Sequence, residues 1–367
     1  MPAQRVIITL VNSIGPTSMP FNEFVQYRRH AYEETHIVIV LGPLGSQQHE
    51  IAGSQDSVEL HDCRGSVRRL RALLGTLYTR YQQASLVVHI HHPKAGLLFF
   101  AATQGLRCRP PALFTVHNLY STYSCANKMM SGLNAMLADR VTFVSHAACA
   151  AFPATIRRYK IREMRTIQNG VDLERVDRLL GGLPPVGREP AGFRLLNIGR
   201  LVRQKNQQFL IDLLPALPDS VSLTIIGGGG HRDQLMARAT ERGVAHRVQW
   251  TGIIPREEVY RQLLQADLFV SSSCWEGLPI AVLEAMALRL PVLLSDIDPH
   301  REIAQYGPSV GIAPLSLSVW AETIQRYLAQ PAALHNAGAA NRRLVEEAFS
   351  LHRMHGDYSR LYQEMAA

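Results

Sequence analysis

Short apolar runs recur along the chain. Each ends in polar or glycine residues, and a stretch with helical spacing follows. In the first half the runs lie at 6–11, 37–41, 86–90, 113–116 and 141–144; in the second at 194–198, 222–226, 248–250, 268–270 and 292–294. Continuous apolar runs of this size read as strands buried on both faces. Their alternation with helices predicts parallel sheets, and two such series predict two doubly wound α/β domains. The helices show by period. Residues 66–81 place Leu70, Leu73, Leu74, Leu77 and Tyr81 on one face, and 206–217, 257–265 and 280–288 behave similarly. The segment 181–192, GGLPPVGREPAG, is dense in glycine and proline and reads as a linker. It closes a first domain over residues 1–180 and opens a second over 181–349.

The composition agrees with two packed domains. The chain has 367 residues, 47% hydrophobic and 19% charged, which argues against disorder and against a coiled coil. The charge is uneven. Residues 1–170 hold 18 basic and 9 acidic side chains (+9), and 171–367 hold 20 and 21 (−1), which together give the net +8. An excess confined to one half implies an anionic partner for that half. No apolar run approaches a membrane span, and no secretory leader pattern precedes the first strand. Five scattered cysteines without CxxC spacing fit a reducing compartment and no zinc site, so the expected location is the cytoplasm.

Three segments carry candidate chemistry. In LNIGRLVRQKN (196–206), Gly199 permits a tight turn at a strand's carboxyl end, and Arg200 and Lys205 follow. Two cations at that place suit a diphosphate; the alternative is a basic surface loop. In IIGGGG (225–230) a strand runs into four glycines, Gly228 among them, suited to close backbone approach or simply to a tight turn. The loop lacks the Lys-Ser/Thr of a phosphate-binding P-loop. In SSSCWEGLPIAVLEAMA (271–287), a strand exit leads to a helix starting near Pro279. Its first N–H groups, from Gly277, Leu278 and Ile280, suit an anion. Glu276 lies on the loop. Glu284 lies eight positions on, among apolar residues, where a carboxylate calls for a specific polar partner.

Glu276 and Glu284 resemble the Glu-x7-Glu motif of the family-4 retaining glycosyltransferases, whose fold is the two-domain GT-B arrangement. The Gly199–Arg200 pair with Lys205, IIGGGG, TGIIP (251–255) and the strand at 291–295 are similar to that family's C-terminal segments. In the first half, Val116-His117-Asn118, Ser145 and the NGVD at 169–172 resemble its shorter N-terminal signatures. The resemblance implies two Rossmann-like domains facing a central cleft, with a last helix at 350–367 returning to the first domain. It implies that Arg200 and Lys205 neutralise a donor diphosphate and that Glu284 holds the ribose. Glu276 and the nearby N–H groups would hold the donor sugar, Ile254 would lie by the base, and His117 would reach the sugar from the first domain. Gly15, the lone glycine of NSIGPTSMP (12–20), stands where the family has a Gly-Gly pair at the diphosphate. The usual Glu-Gly-Phe-Gly reads Glu276-Gly277-Leu278-Pro279.

Other features are read blandly. Asp296-Ile297-Asp298 is formally Asp-x-Asp, and His89, His91 and His92 cluster in sequence. Neither is expected to bind a metal, because the first sits in a loop after a strand and the second suits polar packing or substrate contact. Nucleic-acid binding is not expected, since no reader motif is present. The expected activity is therefore metal-independent transfer of a hexosyl or N-acetylhexosaminyl unit. The donor is a nucleoside-diphosphate sugar, UDP-linked or next GDP-mannose, and no other cofactor is expected. The acceptor is a saccharide or a lipid-linked sugar in surface polysaccharide assembly. The +9 half would meet it at the inner face of the cell membrane, through stretches such as 64–80 and 157–165. A sugar-nucleotide epimerase or hydrolase on the same fold, or a silent nucleotide-binding subunit, are the alternatives.

Overall fold

The structure, a computed structural model, describes residues 5–14, 34–44, 58–106, 109–182 and 192–366. It divides into two compact units, one of residues 1–169 and 351–367 and one of residues 170–350.

The first unit is built on a parallel sheet of β1 (Arg5–Val11), β2 (Glu34–Val40), β3 (Val58–Asp62), β4 (Ser85–Ile90), β5 (Ala112–Val116), β6 (Arg140–Phe143) and β7 (Met164–Thr166). The spatial order is β3-β2-β1-β4-β5-β6-β7. The central strands are apolar on both faces because helices cover both. On one side Leu70, Leu74 and Leu77 of the helix Val67–Arg80 join Phe99, Phe114 and Phe143 in one core. That helix is the one expected at 66–81, with Ser66 as its N-cap accepting from Arg69 N and Tyr81 as its C-cap. On the other side Ile7, Val87 and Leu113 meet Leu351, Met354, Tyr358, Leu361 and Tyr362 of the last helix, Leu351–Ala366. The expected return of that helix to the first sheet is thus realised by an apolar face.

The second unit carries a parallel sheet of β8 (Phe193–Ile198), β9 (Val221–Ile226), β10 (Val248–Gly252), β11 (Leu268–Ser271), β12 (Val292–Ser295) and β13 (Val310–Ala313), ordered β10-β9-β8-β11-β12-β13. Its core gathers Leu195, Leu223, Val270 and Leu293 from the strands with Leu210, Leu214, Trp320 and Ile324 from the helices. In both sheets the strand order reverses direction beside the first strand. Loops leaving the carboxyl ends of the two strands at that switch point are where such sheets bind ligands. In the second sheet those strands are β8 and β11.

The domain boundary falls earlier than expected. The helix Leu173–Gly182, assigned from sequence to the first domain, belongs to the second unit. Val176 is fully buried there, and Asp177 pairs with Arg342 at 2.9 Å. Most of the expected linker, 183–191, lies outside the described residues.

Candidate functional site

The two strands at the switch point deliver the two halves of one polar cluster. After β8 the chain turns at Gly199 and runs through Arg200 to Lys205. A Cβ on Gly199 would stand 3.1 Å from the Lys205 stem, so glycine leaves the groove in which that stem lies. The lysine aims across to the loop after β11, where its Nζ lies 2.5 Å from Glu276 Oε1. Glu276 is 5% exposed. Its carboxylate also accepts from Ser273 Oγ at 2.7 Å and from Gln204 Nε2 at 3.2 Å. Lys205 and Glu276, read separately from sequence, are therefore one hydrogen-bonded unit. Asn206 makes the turn with a left-handed φ of 51° before the helix Gln207–Leu213 begins. Arg200 is exposed at the same strand end.

The glycine-rich exit of β9 serves the backbone. Gly227, at φ 137°, passes so close to the β8 exit that a Cβ would stand 2.1 Å from Gly199 O. Gly228 O accepts from Leu201 N at 2.9 Å, and Gly227 N donates to Gly252 O at 2.9 Å. The three strand exits are thus braided, and the glycines are required for that close approach. Gly228 also abuts the Ile253 side chain, beside Ile254 in the segment after β10.

The helix Ile280–Ala287 starts after Pro279 with no side-chain cap, and Gly277, Leu278 and Ile280 are all buried at its entrance. The helix dipole makes that end favourable to an anion. One turn further on stands Glu284, 3% exposed. The polar partner expected for it is present. Tyr260 Oη donates to Glu284 Oε1 at 2.8 Å, with Arg175 Nη2 at 3.9 Å and Arg256 Nη2 at 3.7 Å from the same oxygen. Tyr260, on the helix Arg256–Gln265, and Arg175, on Leu173–Gly182, were not singled out from sequence. Their signal is weak because each comes from a helix distant in sequence from Glu284.

Another unforeseen residue lies near Glu276. His300 is fully buried on the helix Asp298–Ala304. Its Nδ1 lies 2.8 Å from Ser295 O, while Ser295 Oγ donates to Ser273 O at 2.6 Å. Burial pushes the imidazole down to about 4, against the pull of the Glu276 carboxylate. A chain of contacts thus runs from His300 through Ser295 to the loop that bears Ser273 and Glu276.

In the first unit, His117 follows β5, with its Nε2 3.0 Å from His91 Nδ1. Desolvation, and then neighbouring His92, push it down to about 4, so it is neutral at pH 7. The three histidines at 89–92 part ways. His89 is buried between Tyr362 Oη and Thr115 Oγ1, each 2.6 Å away, and His92 caps the helix Pro93–Thr103 by accepting from Lys94 N. Asp296 and Asp298 are both taken by Arg301, at 2.5 and 3.2 Å. Among the described residues no group of three His, Cys, Asp or Glu could hold a metal ion. Ser145 and Asp172 are helix caps, accepting from Ala148 N and Arg175 N. Gly15 lies outside the described residues.

Comparison with known proteins matches this arrangement to a family. The model for glycosyl transferases group 1 covers residues 186–344, and that for glycosyltransferase family 4 covers 28–175. The chain belongs to glycosyltransferase family 4. The family-4 chain is 30% identical over 267 residues to TuaC of Bacillus subtilis, whose name places it in teichuronic acid biosynthesis as a glycosyltransferase. It is 26% identical over 249 residues to the Escherichia coli UDP-Gal:alpha-D-GlcNAc-diphosphoundecaprenol alpha-1,3-galactosyltransferase. These matches take in 70% and 63% of this chain but 64% and 63% of the relatives, so the chain spans less than two thirds of either. Among solved structures, Anabaena HepE in complex with UDP and glucose superposes with a TM-score of 0.80 at 18% identity, over 98% of this chain and all of that one. That likeness establishes the GT-B fold.

Proposed function

We propose that this chain is a retaining, metal-independent glycosyltransferase that moves a hexosyl or N-acetylhexosaminyl unit from a UDP-sugar to a saccharide or lipid-linked acceptor in surface polysaccharide assembly. The observation that carries the reading is the Lys205–Glu276 pair at the switch point of the second sheet, with Glu284 held separately on the adjoining helix. A diphosphate bound there would meet Arg200, the Lys205 ammonium and the entrance of the helix Ile280–Ala287. Glu284, oriented by Tyr260, takes the ribose hydroxyls. Glu276 takes hydroxyls of the donor sugar.

In the reaction the bond between the anomeric carbon and the phosphate oxygen breaks, and the acceptor oxygen bonds to that carbon on the face the phosphate leaves. The acceptor proton passes to the departing β-phosphate, so no protein base is assigned. Charge grows on that phosphate as the bond breaks. Fixed cations aimed at it lower the barrier, each worth on the order of 10²–10³ in rate. The same cations do the work of a metal ion, so EDTA is expected to leave transfer intact. Rescue by Mn²⁺ after a loss would overturn that reading.

UDP is favoured as the nucleotide because HepE was solved with UDP and the E. coli relative is named for UDP-galactose. GDP-mannose is the next candidate. A thermal-shift screen of UDP, GDP, ADP and TDP sugars tests the choice: a rise in melting temperature with the UDP series alone is expected, and a response to GDP-mannose alone overturns it.

A further inference from the structure

The helix Cys125–Leu137 in the first unit is built inside out. Its buried side carries Ser131, Gly132, Asn134 and Ala135. Asn134 Nδ2 donates to Pro93 O at 2.7 Å and to Met130 O at 2.8 Å, and Gly132 lets Ile156 pack close. Its exposed side carries Cys125, Ala126, Met129, Leu133, Met136 and Leu137, with no polar residue between them. Met129 is 71% exposed, and the other three large side chains are 41–47% exposed. A surface helix of a globular protein shows the reverse pattern, and a contiguous apolar face marks an interaction site.

A second segment with exposed apolar side chains lies beside the end of this helix. Lys160 Nζ donates to Ala138 O at 3.1 Å, which ties the end of the helix to the end of the helix Ala154–Tyr159 and the turn after it, where Tyr159 is 73% and Ile161 69% exposed. Basic residues outnumber acidic ones along this stretch. Residues 125–165 contain seven basic and two acidic side chains. One of the two acids, Asp139, is already engaged by Arg109 at 3.0 Å and by Ala112 N at 2.7 Å.

We propose that this face docks the first unit on an anionic lipid bilayer, with Met129, Leu133, Met136, Leu137, Tyr159 and Ile161 entering the headgroup boundary. Arg157, Arg158, Lys160 and Arg162 contact the lipid phosphates. A 13-residue helix is about 20 Å long, suited to lie in the interface plane. No helix among the described residues is long and apolar enough to cross the membrane. The charge decides the occupant. A second copy of the chain would set a positive surface against itself, whereas an acidic lipid surface complements it. The helix follows directly on the loop that leaves β5 at His117, so docking holds that end of the sheet at the lipid surface.

The inference deepens the lipid-linked reading of the acceptor and is tested apart from the donor reading. The full chain is sedimented with vesicles of phosphatidylcholine alone or mixed with phosphatidylglycerol, and its UDP-dependent melting shift is measured in parallel. The wild type is expected to pellet with the anionic vesicles only. Met129→Ser/Leu133→Ser/Met136→Ser and Arg158→Glu/Arg162→Glu should each weaken binding by roughly tenfold or more, with an unchanged UDP shift. Absence of binding, equal binding to neutral vesicles, or full binding by the triple serine variant overturns the proposal. So does a triple variant that keeps vesicle binding while its mass by light scattering falls from dimer to monomer, because the face then belongs to a second copy. Loss of the UDP shift in a wild type that still binds vesicles overturns the donor reading and leaves the docking face standing.

Discussion

Replacing Lys205 by methionine keeps the alkyl stem across Gly199 and removes only the ammonium. The broken pair is 2.5 Å long, with the Glu276 side chain 6% exposed and that of Lys205 18%. Stranding one partner of a fully buried pair costs about 3–5 kcal/mol, while an exposed pair is worth about 0.2–1 kcal/mol. Here the stranded carboxylate keeps two neutral donors, Ser273 and Gln204, and the lysine end is partly solvated. The expected loss is therefore intermediate, about 2 kcal/mol. Adding Glu276→Gln removes the stranded charge. The double variant should then be more stable than the two single losses sum to, by about 1–2 kcal/mol. Urea denaturation of the four proteins measures this cycle. Activity should behave differently: Lys205→Met lowers transfer on the order of 10²–10³-fold, and the second substitution does not restore it. Additive stabilities, together with near wild-type turnover in Lys205→Met, would refute both halves of the reasoning.

Arg200 is exposed, so Arg200→Ala should leave stability within about 0.5 kcal/mol yet cost transfer on the order of 10²–10³-fold; a matched urea curve and rate assay check both. Glu284→Ala should weaken UDP binding by calorimetry, and Tyr260→Phe should weaken it less; unchanged affinity in Glu284→Ala removes the ribose role. His300 titrates at about 4 in the folded protein and near 6.5 when unfolded. The unfolded chain therefore takes up the extra proton as pH falls through that window. Stability is full above about pH 6.5 and declines towards pH 4, by about 3 kcal/mol from this group. Buried His117 contributes in the same window, so denaturation curves across that range should show the decline, and His300→Gln should reduce it without abolishing it.

The sequence is a good guide to what is buried on both faces and a poor one to edges. The central strands read as apolar runs because helices cover both of their sides. The strands that pass unnoticed, β3 (VELHD), β7 (MRT) and β13 (VGIA), are all at sheet edges. Each pairs on one side only and carries polar or small residues that break an apolar run. The site divides likewise. Arg200, Lys205, Glu276 and Glu284 stand out because charged residues at strand exits, or on an apolar helix, need a reason. Tyr260, Arg175, Ser273 and His300 act by holding those residues. Each looks ordinary along the chain and acquires a partner only when distant strands and helices converge. The domain boundary differs from the expected one for a related reason: Gly- and Pro-rich composition does not tell which unit the preceding helix packs on. That helix, anchored by Val176 and Asp177, had already joined the second unit.

The central claim is acceptor-dependent transfer from a nucleotide-sugar bound at the Lys205–Glu276 cluster. Its most direct test is release of UDP from UDP-sugar, measured with and without a lipid-linked saccharide acceptor, in the wild type and in Lys205→Met. Release that requires the acceptor and falls on the order of 10²–10³-fold in the variant is the predicted result. Donor consumption without acceptor, as an epimerase or hydrolase would give, or equal release by both proteins, would contradict it.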